Sequence, residues 1–171
     1  DQQGTVINNI VEHIENRTVA ALLLGKISRG KEVNIDIKLL PNSYLPRHSK
    51  FLSTDSLVTI LGNLIENSID AINEKGGTSG NGEEITILLY EDKVSILITV
   101  DDSGVGMSDD IIEKVTADRF STKGENRGSG LALIRNIVED SFGELTIESD
   151  INVGTGFTIV IHKPRNKEVK S

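Results

Sequence analysis

The sequence predicts an α/β two-layer sandwich: a mixed β-sheet with its helices on one face, preceded by an N-terminal helical segment. Three observations carry this. Stretches that alternate at period two are interleaved with stretches at helical period, which calls for a sheet covered by helices. Some neighbouring strands are joined too closely for a helical crossover, so hairpins stand among the crossovers and the sheet is mixed. The 171 residues are 37% hydrophobic and 26% charged, enough for one core without staples.

The first thirty residues read as helix. Val6, Ile7, Ile10, Val11 and Ile14 recur at helical spacing, then Val19, Leu22, Leu23 and Ile27. Asn16-Arg17-Thr18 marks a break or an N-cap between the two runs, and Gly30 closes the segment. The period then changes. Val33, Ile35, Ile37 and Leu39 alternate with polar residues as a half-buried strand, which Pro41 and Pro46 end in a loop. A long helix is expected over 53–73, and a glycine-rich flexible connection over 76–82. Strands follow at 84–91 and 93–100, joined at Glu91-Asp92 as a hairpin. A short helix runs over 108–116, after which 117–127 has no period. A helix resumes at Gly128 and ends near Ser141, with Gly143 suited to the C′ position. Strands at 144–148 and 156–162 complete the sheet. The charged tail from 164 is expected to be disordered.

Composition excludes several classes. No apolar run approaches the roughly 20 residues of a membrane span, so this piece does not cross a bilayer. Cysteine is absent, which removes disulfides, thiol catalysis and cysteine-based zinc sites and is compatible with a reducing compartment. The net charge of -8 argues against nucleic acid as a partner. It also means that a bound polyphosphate needs a metal or local donors. The chain opens on Asp1 without a signal-peptide pattern, and so reads as a fragment or a processed product.

Four features could carry chemistry. Val94, Ile96, Ile98 and Val100 share one face, and period two puts Asp102 on it as well. A carboxylate arriving where the core should be needs a partner or a donor. Asp101 has the other parity and reaches water. Gly104 and Gly106 let the backbone turn and let a ligand approach, and a flat ligand with an amino group beside a ring acceptor, such as adenine, would suit the acid. Taken alone, the same pattern is an acidic turn after a strand. The second feature is the helix over 53–73, with Asn63 and Asn67 four apart on its polar side and border. It is either an ordinary amphipathic helix or a source of an amide oxygen for a hard cation such as Mg2+. Third, a polar stretch with Lys123 and Arg127 precedes Gly128-Ser129-Gly130 at a helix start. It is a flexible surface loop, or a lid over phosphates held by free N–H groups. Fourth, Gly154-Thr155-Gly156-Phe157 is by itself only a tight turn, in which Thr155 could supply a hydroxyl next to Asp102.

In this order and spacing the four resemble the ATP-binding (Bergerat-type) fold of gyrase, Hsp90, histidine kinases and MutL, over roughly residues 31–163. The run from Leu61 to Ala71 resembles the N box, Asp102 to Gly106 the G1 box, Phe120 to Lys123 the F box and Gly128 to Leu133 the G2 box. The F box points to the histidine-kinase branch. The run from Ala20 to Glu32, together with Lys123 to Leu131, is similar to sensor kinases for citrate and C4-dicarboxylates.

The resemblance implies a division into residues 1–30, the C-terminal part of the dimerisation and phosphoacceptor region, and residues 31–163, the catalytic domain. It implies ATP and Mg2+ as cofactors, with Asn67 on the metal, Asp102 accepting from the adenine amino group, and Gly104 and Gly106 admitting the base. Lys123, Arg127, Gly128, Ser129, Gly130 and Leu131 would surround the phosphates, and Thr155 would stand beside the base. The γ-phosphoryl group would pass to a histidine and then to a response-regulator aspartate. The whole protein would be a homodimer, with this part the cytoplasmic domain of an inner-membrane protein.

Asn63 stands where hydrolytic members carry a catalytic Glu, and an amide is no general base, which favours phosphotransfer over hydrolysis. Ala132 stands where many of these kinases have Gly. Among His13, His48 and His162, none has the acceptor's context of an upstream helix with an acidic neighbour. The acceptor is therefore expected before Asp1. Two other readings remain open: another branch of the superfamily (an anti-sigma serine kinase or a chaperone-like ATPase), and a non-enzymatic module working through its N-terminal helix.

Overall fold

The computed structural model describes residues 2–75, 82–116 and 126–164. The flexible connection expected at 76–81, the polar stretch at 117–125 and the tail from 165 lie outside the described residues. The elements are α1 (Gln2–His13), α2 (Arg17–Glu32), β1 (Asp36–Leu39), α3 (Thr54–Asn73), β2 (Glu84–Glu91), β3 (Ser95–Asp102), α4 (Asp109–Thr116), α5 (Asn126–Asp140), β4 (Glu144–Asp150) and β5 (Gly154–His162).

The strands form one sheet in the order β1-β2-β3-β5-β4. β1 and β2 are parallel and every other pair is antiparallel, so the sheet is mixed as expected. Period two decides its faces. Ile85, Ile87 and Leu89, then Ile96, Ile98 and Val100, then Phe157, Ile159 and Ile161 are buried beneath the helices. Their neighbours Thr86, Leu97, Thr99 and Thr158 are half-buried on the opposite face. α3 lays Leu57, Ile60, Leu61, Leu64, Ile65, Ile69 and Ile72 on this core. Its start is set by Ser53, whose Oγ accepts from the Ser56 N–H at 3.0 Å.

Three local expectations are corrected. Gly30 does not end a helix: α2 continues to Glu32, and a Cβ at Gly30 would come within 2.6 Å of the Ile35 carbonyl oxygen. This glycine serves close packing, and the chain turns later, at Asn34 with φ 61°. Val94 is not on the buried face. It is 59% exposed in the β2–β3 turn, where Asp92 Oδ1 accepts from the N–H groups of Val94 and Ser95. At the end of α5 the left-handed residue is Phe142, with φ 60°, not Gly143. The Gly143 N–H reaches the Val138 carbonyl at 2.9 Å and the Phe142 N–H reaches Glu139 at 3.0 Å, which makes Gly143 the C″ residue of a Schellman motif. Gly143 is demanded instead by β5, since a Cβ there would sit 2.5 Å from Ile161 Cγ1.

The break at 14–17 is a fixed elbow. Ile14 bridges Leu45, with Leu45 N–H donating to His13 O at 3.0 Å and Glu15 N–H donating to Leu45 O at 2.8 Å. Arg17 caps the end of α1, its Nη2 donating to the carbonyls of Val11 and Ile14. Asn16 caps α2 through Val19 N–H and donates its amide to Thr54 Oγ1 at 3.0 Å, which ties the elbow to the start of α3. Ile10, Ile14, Val19, Leu23 and Ile27 join the same core cluster as the sheet, so the core runs across residue 30. Asn16 is 5% exposed, and Asn16→Ala removes both a cap and a buried hydrogen bond. The expected loss is about 2 kcal/mol, a fall of roughly 4–8 °C in melting temperature by scanning calorimetry. Asn16→Ser keeps the cap alone and is expected to lose about half as much.

Candidate nucleotide-binding site

β3 runs through Asp102, so the parity of the strand holds to its last residue. Asp102 pairs with Ile85 on one side and with Thr155 on the other. Its carboxyl is partly buried, and Oδ1 accepts from the Gly104 N–H at 2.8 Å. The Thr155 backbone N–H also approaches the carboxyl. The Ser68 hydroxyl is buried on α3 without a hydrogen-bond partner, and its approach steadies the same carboxyl. Burial outweighs these donors and pushes the acid above the ordinary Asp value. Asp101 faces the other way and is exposed, as its parity predicts. Burial and the nearby Glu148 raise it too.

The glycine loop after Asp102 is held from three sides. Below it, Ser103 Oγ donates to Glu83 Oε1 at 2.8 Å, and Lys75 Nζ donates to Ser103 O at 2.8 Å. That hydroxyl keeps the Glu83 carboxyl below its usual range against the opposing effect of burial, with help from Lys75. Behind it, the Val105 N–H reaches Ala71 O on α3 at 3.1 Å. Gly104 lies so near that a Cβ would be 2.6 Å from Ala71 Cβ. On the third side is the β4–β5 turn: Asn152 N–H donates to Val105 O at 2.6 Å, and Met107 N–H donates to Ser149 Oγ at 2.7 Å. Gly106 has φ 75°, and a Cβ there would overlap the Asp150 carbonyl oxygen.

These walls enclose a cavity of about 650 Å³. Asp102, Asn67, Gly106, Leu131 and Thr155 line it, five of the residues expected from sequence. Asn67 Nδ2 is buried without a partner, so the fold leaves this amide for something else. Asn63 is not among the lining residues. Its Nδ2 donates to Thr59 O at 2.8 Å, and its oxygen would be 2.9 Å from a Cβ at Gly130 on α5. Gly104 supports the loop from behind, and Gly130 seats α5 on α3. Arg127, Gly128 and Ser129 lie in the first turn of α5 by their backbone, and nothing further is described of them. Lys123 lies outside the described residues.

Sequence reasoning missed other walls. Lys114 on α4 and Glu74 at the end of α3 put a charge of each sign on the rim, and Ile151 and Asn152 reach it from the β4–β5 turn. Lys114 carried no signal beyond a surface position on a short helix. The Ile151 contact is long-range and leaves none.

Among the described residues no cluster of three or more His, Asp or Glu could hold a metal by itself. A cation would need the Asn67 oxygen together with oxygens of a ligand and water, which is how Mg2+ is commonly held. No helix among the described residues is long and apolar enough to cross a membrane.

Residues 53–166 match the family of histidine kinase-, DNA gyrase B- and HSP90-like ATPases. The chain is 38% identical over 96% of its length to the "Probable C4-dicarboxylate sensor kinase" of Halalkalibacterium halodurans, covering 31% of that protein. It is 33% identical over 91% of its length to the sensor histidine kinase DcuS of Escherichia coli K12, covering 28%. It thus spans about a third of the length of these relatives. Among solved structures, the catalytic domain of histidine kinase ThkA superposes with a TM-score of 0.64 at 23% identity, over 86% of this chain and 91% of that one. The mycobacterial sensor histidine kinase MprB gives 0.57 at 18%, over 85% and 95%. The chain belongs to the histidine kinase-, DNA gyrase B- and HSP90-like ATPase family, and its fold is that of a sensor histidine kinase catalytic domain.

Proposed function

We propose that this chain binds Mg-ATP and transfers the γ-phosphoryl group to a histidine of a dimerisation hairpin, for onward transfer to a response-regulator aspartate. The observation that carries this is the partly buried Asp102 carboxyl in a cavity that Asn67 and Thr155 also line. Asp102 accepts from the adenine amino group. The loop at Gly106 brings backbone against the ring. The Asn67 oxygen would hold Mg2+, which would supply charge neutralisation at the phosphates. The backbone N–H groups of the first turn of α5 and Lys114 meet the phosphates, and Lys123 and Arg127 are the further cations the sequence offers them.

In the transfer the bond from γ-phosphorus to the bridging oxygen breaks and its electron pair leaves with ADP. The imidazole nitrogen carrying no proton forms the new bond. The chain's part is to position and neutralise, since such transfers ask for little else. Asn63 offers no base to activate water, in keeping with transfer to a histidine.

Residues 1–30 are the end of the dimerisation region, with α2 shared by the catalytic core. The whole protein is a homodimer whose catalytic domain lies on the cytoplasmic side of an inner membrane. Its signal belongs to the class that the C4-dicarboxylate relative names.

Two measurements test this. Mg-ATP at a hundred times its Kd should stabilise the chain by about 2.7 kcal/mol, raising the melting temperature by roughly 5–10 °C. Supplying the complete hairpin of this protein in trans should give acid-labile phosphohistidine. Rapid ATP turnover without the hairpin would place the chain in a hydrolytic branch. No thermal response to any adenine nucleotide would leave it an interaction module.

A further inference from the structure

β4 is an edge of the sheet, and among the described residues no strand pairs with its outer side. The other edge strand, β1, has four residues, whereas β4 has seven. A long open edge offers a row of N–H and C=O groups to another chain. A cavity of about 640 Å³ runs beside it. Consecutive residues, Glu144 to Ile147, line this cavity, so side chains of both parities reach it, as only the edge of a strand allows. Its far walls are Val138 of α5 and Ile112 of α4, apolar like Leu145 and Ile147, which are only half-buried. It is separate from the nucleotide cavity: α4 gives Ile112 to this one and Ile111 and Lys114 to the other. Charge decides what fits. Glu144, Glu148 and Asp150 stand exposed on the outer face of β4, with Glu139 and Asp140 just before the strand. Arg135 also lines the groove, but it donates to Glu139 at 3.0 Å. A second copy of the strand is disfavoured. In an antiparallel pair centred on Ile147, Glu144 would stand opposite Asp150, and like charges directly opposite destabilise. A basic strand meets the reverse situation. Phe142, at the entrance to β4, is 85% exposed and has φ 60°, where a glycine would be easier. It sets an aromatic face beside the open edge.

We propose that the open edge of β4 and the groove beside it receive an extended basic segment of a partner protein as an added strand. Its apolar side chains enter the cavity between β4 and Val138, and the alternate lysine or arginine side chains cross Glu144 and Glu148 on the outer face. Phe142 packs against the end of the segment. Nothing in this depends on the reading of the nucleotide site.

The test is fluorescence anisotropy of a labelled peptide that alternates lysine with valine, matched in length to β4 and titrated with the 171-residue chain. Saturable binding is expected, and a peptide alternating glutamate with valine should bind about ten-fold more weakly or worse. Glu144→Lys combined with Glu148→Lys should weaken the lysine peptide by about the same factor. Both residues are exposed, so the melting temperature should hardly move. Charge attraction alone is not strand addition, so the peptide is also made with N-methyl groups on the valine nitrogens only, or on the lysine nitrogens only. Successive N–H groups of a strand point to opposite sides, so one methylated form should lose about ten-fold and the other should keep its affinity. Phe142→Gly should weaken the peptide about five-fold without lowering the melting temperature, which a purely structural role would not produce. Absence of binding overturns the proposal. So do equal losses in the two methylated forms, or full binding by the charge-reversed variant. A chain that dimerises through β4 in sedimentation, or that takes the peptide only once residues 165–171 are removed, has another occupant on this edge and overturns it as well.

Discussion

Asp102→Asn is expected to lower ATP affinity a hundred-fold or more while leaving the fold intact. The reason lies in the bond already made inside the chain. Gly104 N–H donates to Oδ1 at 2.8 Å and needs an acceptor there. An asparagine at this position must turn its oxygen toward Gly104, which aims its NH2 into the cavity. The adenine amino group then meets a donor. The loss is a charge-assisted hydrogen bond plus a donor left facing a donor, together about 3 kcal/mol. The unliganded chain should not suffer. Burial raises the folded-state value of Asp102 above its unfolded value, so the group favours the fold only when protonated. That contribution is present below the unfolded value and is lost as pH rises through the folded one, so at pH 7 the ionised acid is a standing cost that the amide removes. ATP binding has the opposite trend, weakening as pH falls through the raised value of Asp102. The difference between native and variant titrations isolates it from the titration of ATP itself. Calorimetry and thermal melts at pH 7 check both halves, and unchanged affinity would remove Asp102 from the base site.

Asp102 was legible because strand parity is a local property. Nothing interrupts β3 between Ser95 and Asp102, and its ladder to β5 carries the alternation to the end. The mixed sheet was legible for the same reason: alternation and turn residues sit within a few positions of what they determine. The failures share the opposite cause. Gly30 and Gly143 look like helix stops by position, yet each is required by a chain segment that packs on it, Ile35 with Ile37 of β1 in one case and Ile161 of β5 in the other. Asn63 and Asn67 lie four apart on the polar side and border of one helix, and the helical wheel does not say which of them meets a ligand. Only the arrival of α5 separates them, burying the Asn63 oxygen against Gly130 and leaving Asn67 in the cavity. The turn residues Ile151 and Asn152 had no motif at all. They matter because register brings Asp150 opposite Gly154 and so lays the turn on the glycine loop.

That contact makes Gly106→Ala a severely damaging substitution. A non-glycine residue at φ 75° costs about 1–2 kcal/mol before any contact is considered. The added Cβ would also overlap the Asp150 carbonyl oxygen and lie 3.1 Å from Ile151 Cα. Both obstacles are backbone, and the backbone cannot yield cheaply. Asp150 is held in register with Gly154, and Asn152 N–H is bonded to Val105 O at 2.6 Å on the very loop being pushed. The expected cost is about 3 kcal/mol of stability. ATP affinity should fall at least ten-fold with it, because the turn that gives way leads into β5 just before Thr155. Gly104→Ala is the informative contrast. Its φ is not positive, and its first obstacle is a side chain, the Ala71 methyl at 2.6 Å. Ala71→Gly should therefore restore part of the stability lost in Gly104→Ala, although the Ala71 backbone carbon at 2.8 Å prevents full rescue. No side-chain truncation should restore Gly106→Ala, since there is no side chain in the way. Chemical denaturation of the two single variants and of both pairings with Ala71→Gly separates these cases. A Gly106→Ala chain of native stability would mean that the β4–β5 turn does not rest on the loop, and the account of how the cavity is walled would have to be abandoned.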